Sequence, residues 1–60
     1  MVNADIRREI FENELTYRQL AGELHLSHEH LSRLLAHPLS DQNRRRITAA
    51  VEQLKQRKQA

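Results

Sequence analysis

The sequence predicts an all-α fold, a small domain of four helices spanning residues 1–60, and three observations carry that expectation. Apolar residues recur at helical spacing along the chain, as in Ile47, Ala50, Val51 and Leu54 at i, i+3, i+4 and i+7. Strand signals are missing, with no sustained alternation and few β-branched or aromatic residues. Capping residues stand ahead of the apolar stripes, where helix starts need them.

The first helix is expected over about 4–13, with Ile6 and Ile10 on one face and Asn3 or Asp5 able to cap its start. The second, about 17–24, carries Leu20, Ala21 and Leu24. Thr16 followed by Gln19 forms a capping-box pattern at its start. The third, about 28–36, is capped by Ser27 and buries Leu31, Leu34 and Leu35. Pro38 disfavours helix at His37, so this helix ends near Ala36 or His37. The fourth, about 41–57, follows Ser40 and holds Asp41 in its first turn. Lys55, Arg57 and Lys58 suit the negative end of its dipole.

Only about three residues separate the second helix from the third. Such a corner needs a left-handed residue just past the helix end, usually glycine, and here the position holds His25. Histidine is among the side chains enriched at positive φ. Leu26 then plugs down between the helices, and the small Ala21 lets the third helix cross close over the second, with Leu31 against it.

Composition narrows the function classes. A chain of 60 residues buries only about 60% of its unfolded surface, so stability is marginal. Without cysteine there is no disulfide and no thiolate metal site, which fits a cytoplasmic setting. No apolar run approaches the roughly 20 residues of a membrane span, and "MVNADIRREI" lacks a signal-peptide layout. No membrane partner is expected. The four histidines, His25, His28, His30 and His37, have the wrong spacing for a metal. His28 and His30 diverge by about 200° on a helix, and the chain reads "HEH" rather than His-Glu-x-x-His. No metal or cofactor is expected. No nucleophile signature is present and so short a chain offers little room for a deep pocket, so neither enzymatic activity nor a small-molecule ligand is expected.

Charge is unevenly spread. Residues 1–30 carry Arg7, Arg8 and Arg18 against Asp5, Glu9, Glu12, Glu14, Glu23 and Glu29, a net −3. Residues 31–60 carry Arg33, Arg44, Arg45, Arg46, Lys55, Arg57 and Lys58 against Asp41 and Glu52, a net +5. A polyanion would meet the second half, although for a charge run alone a solvated basic helix is the favoured reading.

The window Tyr17–Ala36 resembles the helix-turn-helix of the lambda-repressor-like superfamily, which includes Cro-type phage repressors and the lac-repressor headpiece. Ala21 stands where that motif keeps a small residue, and Leu20, Leu24, Leu26, Leu31 and Leu34 occupy its apolar positions. His25 stands in place of the usual glycine. "IRREIFENELTYRQLA" looks like the helix preceding the motif and the start of its second helix, "LSHEHLSRLL" like a recognition helix, and "LSDQNRRRITAAVEQL" like the following loop and helix. The likeness covers roughly residues 5–55.

The resemblance implies a DNA-binding transcriptional regulator, most simply a dimeric repressor or autorepressor of phage or bacterial origin on an inverted-repeat operator of double-stranded DNA. The small anti-CRISPR-associated autorepressors are one family of this size and type, and nothing in these residues singles them out. The likeness assigns base contact to Ser27, His28, Glu29 and Arg33, with Ser32 able to serve base or backbone. Arg33 suits guanine O6 and N7, at about 1–3 kcal/mol of discrimination. Glu29 can accept from cytosine N4. The plainer reading of Glu29 and Arg33 is an i, i+4 helix pair worth about 0.2–0.5 kcal/mol. Phosphate contact falls to Thr16, Tyr17 and Arg18 at the start of the second helix, and to Asn43, Arg44 and Arg45 at the start of the fourth; Arg46 is nearer to a bystander. Two alternatives stand beside this reading. One is a protein-interaction module, an antitoxin or adaptor, docking through the acidic face around Glu9, Glu12 and Glu14. The other is a DNA-bending recombination accessory factor.

Overall fold

Residues 2–59 are described by a computed structural model of the chain as four helices: α1 Ala4–Glu12, α2 Tyr17–Leu24, α3 His28–Leu35 and α4 Asp41–Gln59. No strand occurs among the described residues. The expected boundaries hold to within two residues. α1 stops one residue early because Asn13 folds its side chain back, donating from Nδ2 to the Glu9 carbonyl at 2.8 Å. α3 stops at Leu35, with Ala36 as its C-terminal cap. α4 runs to Gln59, two residues beyond the expected end.

The caps follow the sequence at three of the four starts. Thr16 and Gln19 close a reciprocal capping box, with Gln19 N–H donating to Thr16 Oγ1 at 3.1 Å and Thr16 N–H donating to Gln19 Oε1 at 2.9 Å. Ser27 Oγ accepts from His30 N–H, and Ser40 Oγ from Asn43 N–H. The start of α1 differs. Asn3 occupies the cap position in the left-handed region and makes no capping bond. Its amide instead donates to the carbonyls of Leu35 at 3.0 Å and His37 at 2.9 Å, at the far end of α3. Arg7 Nη2 donates to the same Leu35 carbonyl at 3.0 Å.

Two helix ends turn through left-handed residues that are not glycine. His25 has φ 59°; Leu26 N–H reaches back to the Ala21 carbonyl at 2.8 Å and His25 N–H to Gly22 at 3.2 Å. This is the Schellman ending, which satisfies carbonyls that a helix terminus otherwise leaves bare. The end of α1 repeats it: Glu14 has φ 58°, Leu15 N–H bonds Ile10 at 2.9 Å and Glu14 N–H bonds Phe11 at 3.1 Å. Leu15 is buried with Ile10, the apolar contact that accompanies such endings. Composition around Glu14 gave no hint of that turn.

The core gathers Ile6 and Ile10 of α1, Leu15 of the α1–α2 turn, Leu20 and Ala21 of α2, Leu31 and Leu35 of α3, and Ile47, Ala50 and Val51 of α4. Leu20, Leu31, Leu35 and Ile47 are its fully buried centre. Ala21 is 2% exposed, and its small side chain sits in the interior that α2 shares with α3. Leu34, expected in the core, is only half-buried. With Leu24, Leu26, Asn43, Arg46 and Ile47 it lines a crevice between α2, α3 and α4. Leu26 is likewise half-buried rather than plugged into the interior.

The uneven charge is largely resolved inside the molecule. Arg44 pairs with Asp5, Lys55 with Glu9 at 3.5 Å, Lys58 with Glu14 at 3.6 Å, and Arg57 with Glu23 through two bonds of 2.7 and 3.1 Å. Lys58 also donates to the carbonyls of Asn13 and Glu14. α4 is thus clamped against the acidic first half by its own cations. Each such exposed pair contributes only about 0–1 kcal/mol, with the forked Arg57 contact the best formed geometrically. Four of the second half's seven cations are thus already paired, which leaves Arg33, Arg45 and Arg46 as its unpaired cations among the described residues.

Glu14→Gly is expected to stabilise the fold by about 0.5–1 kcal/mol, because glycine removes the Cβ penalty at positive φ and the gain exceeds its unfolded-state entropy. The gain at His25→Gly should be smaller, since histidine tolerates that region better. His25→Val should be clearly destabilising, by about 1–2 kcal/mol. Thermal melts of the three variants rank them.

Lys55 holds its proton above the ordinary lysine value of 10.5. The leading cause is its hydrogen bond to Glu52, followed by the charges of Glu52 and Glu9, against a burial effect that works the other way. A raised folded-state pKa stabilises the fold below the unfolded value and loses that stabilisation as pH rises through the folded one. Wild type should therefore exceed Lys55→Gln in stability at neutral pH, and the gap should close above about pH 10.5. Urea unfolding across alkaline pH measures it.

Candidate nucleic-acid interface

The corner at His25 sets α3 against the start of α2, and side chains from both meet there. The rings of Tyr17 and His28 lie with centroids 6.2 Å apart and tilted by 45°. Tyr17 is half-buried against the core while His28 is exposed. The contact ties the first residue of α2 to the first residue of α3.

On α3, His28, Glu29 and Arg33 are exposed and Ser32 is half-buried. Glu29 and Arg33 do not form the i, i+4 ion pair, and neither has another ion-pair partner among the described residues. Their hydrogen-bonding capacity is therefore open to a ligand. Ser27 Oγ already accepts the His30 amide, which leaves its hydroxyl proton free to donate. His30 is exposed.

At the start of α2, Thr16 is occupied by the capping box, and Arg18 is exposed without an ion partner among the described residues. The first-turn amides of Tyr17 and Arg18 precede the capped Gln19 and have no acceptor within their own helix. They form a small positive end beside the α3 face. At the start of α4, Asn43 is half-buried with its amide on Ser40, Arg45 is exposed and unpaired among the described residues, and Arg44 is held by Asp5. Asp5 takes one Nη of Arg44 and offsets its charge, while the remaining N–H groups of the guanidinium stay open to an anion. Arg46 is exposed and borders two shallow crevices.

The arrangement unites Tyr17 with His28 and leaves Glu29 and Arg33 unpaired beside them, and it separates Arg44 from Arg45 by what each already holds. The groove between α1 and α4 has a volume of 230 Å³ and is lined by Asp5, Ile6, Glu9, Thr48, Val51 and Glu52. Its acidic rim has the wrong sign for a phosphate chain. Among the described residues no group of three or more His, Asp or Glu side chains is placed to hold a metal ion, and no helix is long and apolar enough to cross a membrane. Sequence reasoning missed the roles of Asn3 and Arg7, which fix the end of α3, and of Asp5, which occupies Arg44. Asn3 was legible only as an ordinary cap, and no local pattern marks an amide that bonds more than thirty residues away.

Comparison of the chain with protein-family profiles, curated proteins and solved structures finds no match to any of them.

Asn3→Ala strips a donor from the Leu35 and His37 carbonyls. A loss of about 1–3 kcal/mol is expected, from two such bonds and from alanine's poorer fit at a left-handed position. Faster amide exchange at the last turn of α3, followed by NMR, should accompany it.

Proposed function

We propose that the protein is a sequence-specific DNA-binding regulator in which α2 and α3 form a helix-turn-helix and α3 enters the major groove. The observation that carries this reading is the row of exposed, unpaired Glu29 and Arg33 on α3, with His28 beside them braced by Tyr17 from the start of α2. In this reading Arg33 donates to guanine, Glu29 accepts from cytosine, and Ser27, His28 and Ser32 add contacts to base or backbone. Thr16, Tyr17 and Arg18 on one side and Asn43, Arg44 and Arg45 on the other hold phosphates, with Arg45 unpaired and Arg44 using the N–H groups that Asp5 leaves open. One such unit makes too few base contacts for a regulator's specificity. Two copies on an inverted repeat, with half-sites about one helical turn apart, supply them. Such a dimer represses by occluding a promoter, its own among the candidates.

A second reading, an adaptor that docks to another protein, draws on the same ion pairs, because they cancel much of the field that attracts DNA. The two separate in a gel shift on the protein's own upstream sequence with salt titration. Binding that survives competitor DNA supports the regulator, and no binding supports the adaptor.

Arg33→Ala is expected to relax base preference at one position per half-site, by about 1–3 kcal/mol. Arg45→Ala should weaken all sequences alike and flatten the salt dependence by roughly one phosphate contact per copy. Asp5→Asn should tighten binding to every sequence, since Arg44 is then free. Titration against a panel of operator variants distinguishes the three profiles. Identical profiles for Arg33→Ala and Arg45→Ala would refute the division between reader and anchor.

A further inference from the structure

Phe11 is the large apolar side chain that remains exposed among the described residues, with 82% of its surface accessible. It lies on the outer face of α1, and two charges accompany it. Arg8 lies one turn before it and Glu12 directly after, both exposed and neither in an ion pair among the described residues. The other charges of α1 are engaged elsewhere: Asp5 and Glu9 hold Arg44 and Lys55 of α4, and Arg7 donates to backbone carbonyls. Although Arg8 and Glu12 stand four residues apart, they do not reach each other. The free face of α1 therefore carries Arg8 and Glu12 in one row, basic then acidic along the helix, with Phe11 flanking it.

A two-fold axis reverses that order in a second copy. With two α1 helices antiparallel, Arg8 of each copy meets Glu12 of the other, and the two Phe11 rings meet alongside these pairs. A surface that is complementary to itself under rotation is what an isologous interface requires, and the charges fix its register. DNA fits the face poorly because Glu12 repels phosphate. We propose that the outer face of α1 is a homodimer interface, centred on Phe11 and registered by reciprocal Arg8–Glu12 pairs. The proposal rests on the dimeric reading above for its partner, a second copy of this chain, and needs no DNA to form. Two phenylalanines bury on the order of 300–500 Å², well below the ~1,200 Å² of a stable interface. The dimer is accordingly weak, dissociating on dilution and held together on DNA by mass action.

Sedimentation velocity across the micromolar to millimolar range tests it, with circular dichroism to verify folding of each variant. Wild type should shift from monomer to dimer with concentration. Phe11→Ser, at an exposed position, should melt like wild type and stay monomeric. Arg8→Glu and Glu12→Arg should each weaken self-association at least tenfold, since each places like charges at both ends. An equimolar mixture of these two variants restores both pairs and should dimerise, as should the double variant R8E/E12R. A wild type that stays monomeric throughout, a dimer indifferent to Phe11→Ser, or charge variants that fail to rescue each other would overturn the interface. Binding of a single half-site duplex is measured on the same samples. Half-site binding by monomeric Phe11→Ser keeps the DNA reading independent of the interface, while a dimeric wild type that binds no DNA refutes that reading and leaves the interface standing.

Discussion

The left-handed turn at His25 is the constraint on which the surface chemistry depends. It lets the chain leave α2 and begin α3 with three residues between, His25 itself, Leu26 and the capping Ser27. The two hydrogen bonds back to Ala21 and Gly22 fix the angle of departure. With that angle set, Leu31 and Leu35 fall on the core beside Leu20, and Ile47 of α4 closes the other side. The remaining face of α3 has no choice but to look outward. The polar row from His28 to Arg33 is thus a product of backbone geometry and apolar burial, and no polar contact is needed to aim it beyond the Tyr17 ring. A longer connection would cost little loop entropy, yet it would free α3 to take up more than one pitch on α2.

Electrostatics acts at a second level. Ion pairs join the acidic and basic halves across the seams between α4 and the first two helices. None is buried, so they add orientation more than energy. Their consequence is subtractive: they remove Arg44, Lys55, Arg57 and Lys58 from the pool of free cations, leaving Arg8, Arg18, Arg33, Arg45 and Arg46 unpaired among the described residues, with Arg7 spent on backbone carbonyls. A molecule with so few free cations attracts polyanions weakly in general, and selectivity then rests on where those few stand.

The architecture was legible because its signals are local. Apolar spacing located every helix, and Thr16, Ser27 and Ser40 marked three starts, since a hydroxyl can reach only the amides of its own first turn. The corner at His25 was legible from helix ends three residues apart. What escaped has a common cause. The left-handed Glu14, the Asn3 and Arg7 bonds to α3 and the Asp5 grip on Arg44 depend on which side chains meet after packing, and spacing along the chain carries no record of that. Leu34 looked like a core residue because the stripe pattern cannot distinguish a central leucine from one at a crevice edge. For the candidate site, exposure of the α3 row followed from periodicity, whereas the occupation of Arg44 did not.

The bonds from Asn3 and Arg7 to Leu35 and His37 reach across 28 to 34 residues. They join the opening turn of the chain to the closing turn of α3. A shift of α3 along its axis by a single residue, about 1.5 Å, would break all three. α1 and α3 are therefore tied at these two ends, and the pitch of α3 responds to whatever grips α1. Any object that holds two copies by their first helices also sets the distance between their third helices, as the handle of a caliper sets the gap between its jaws.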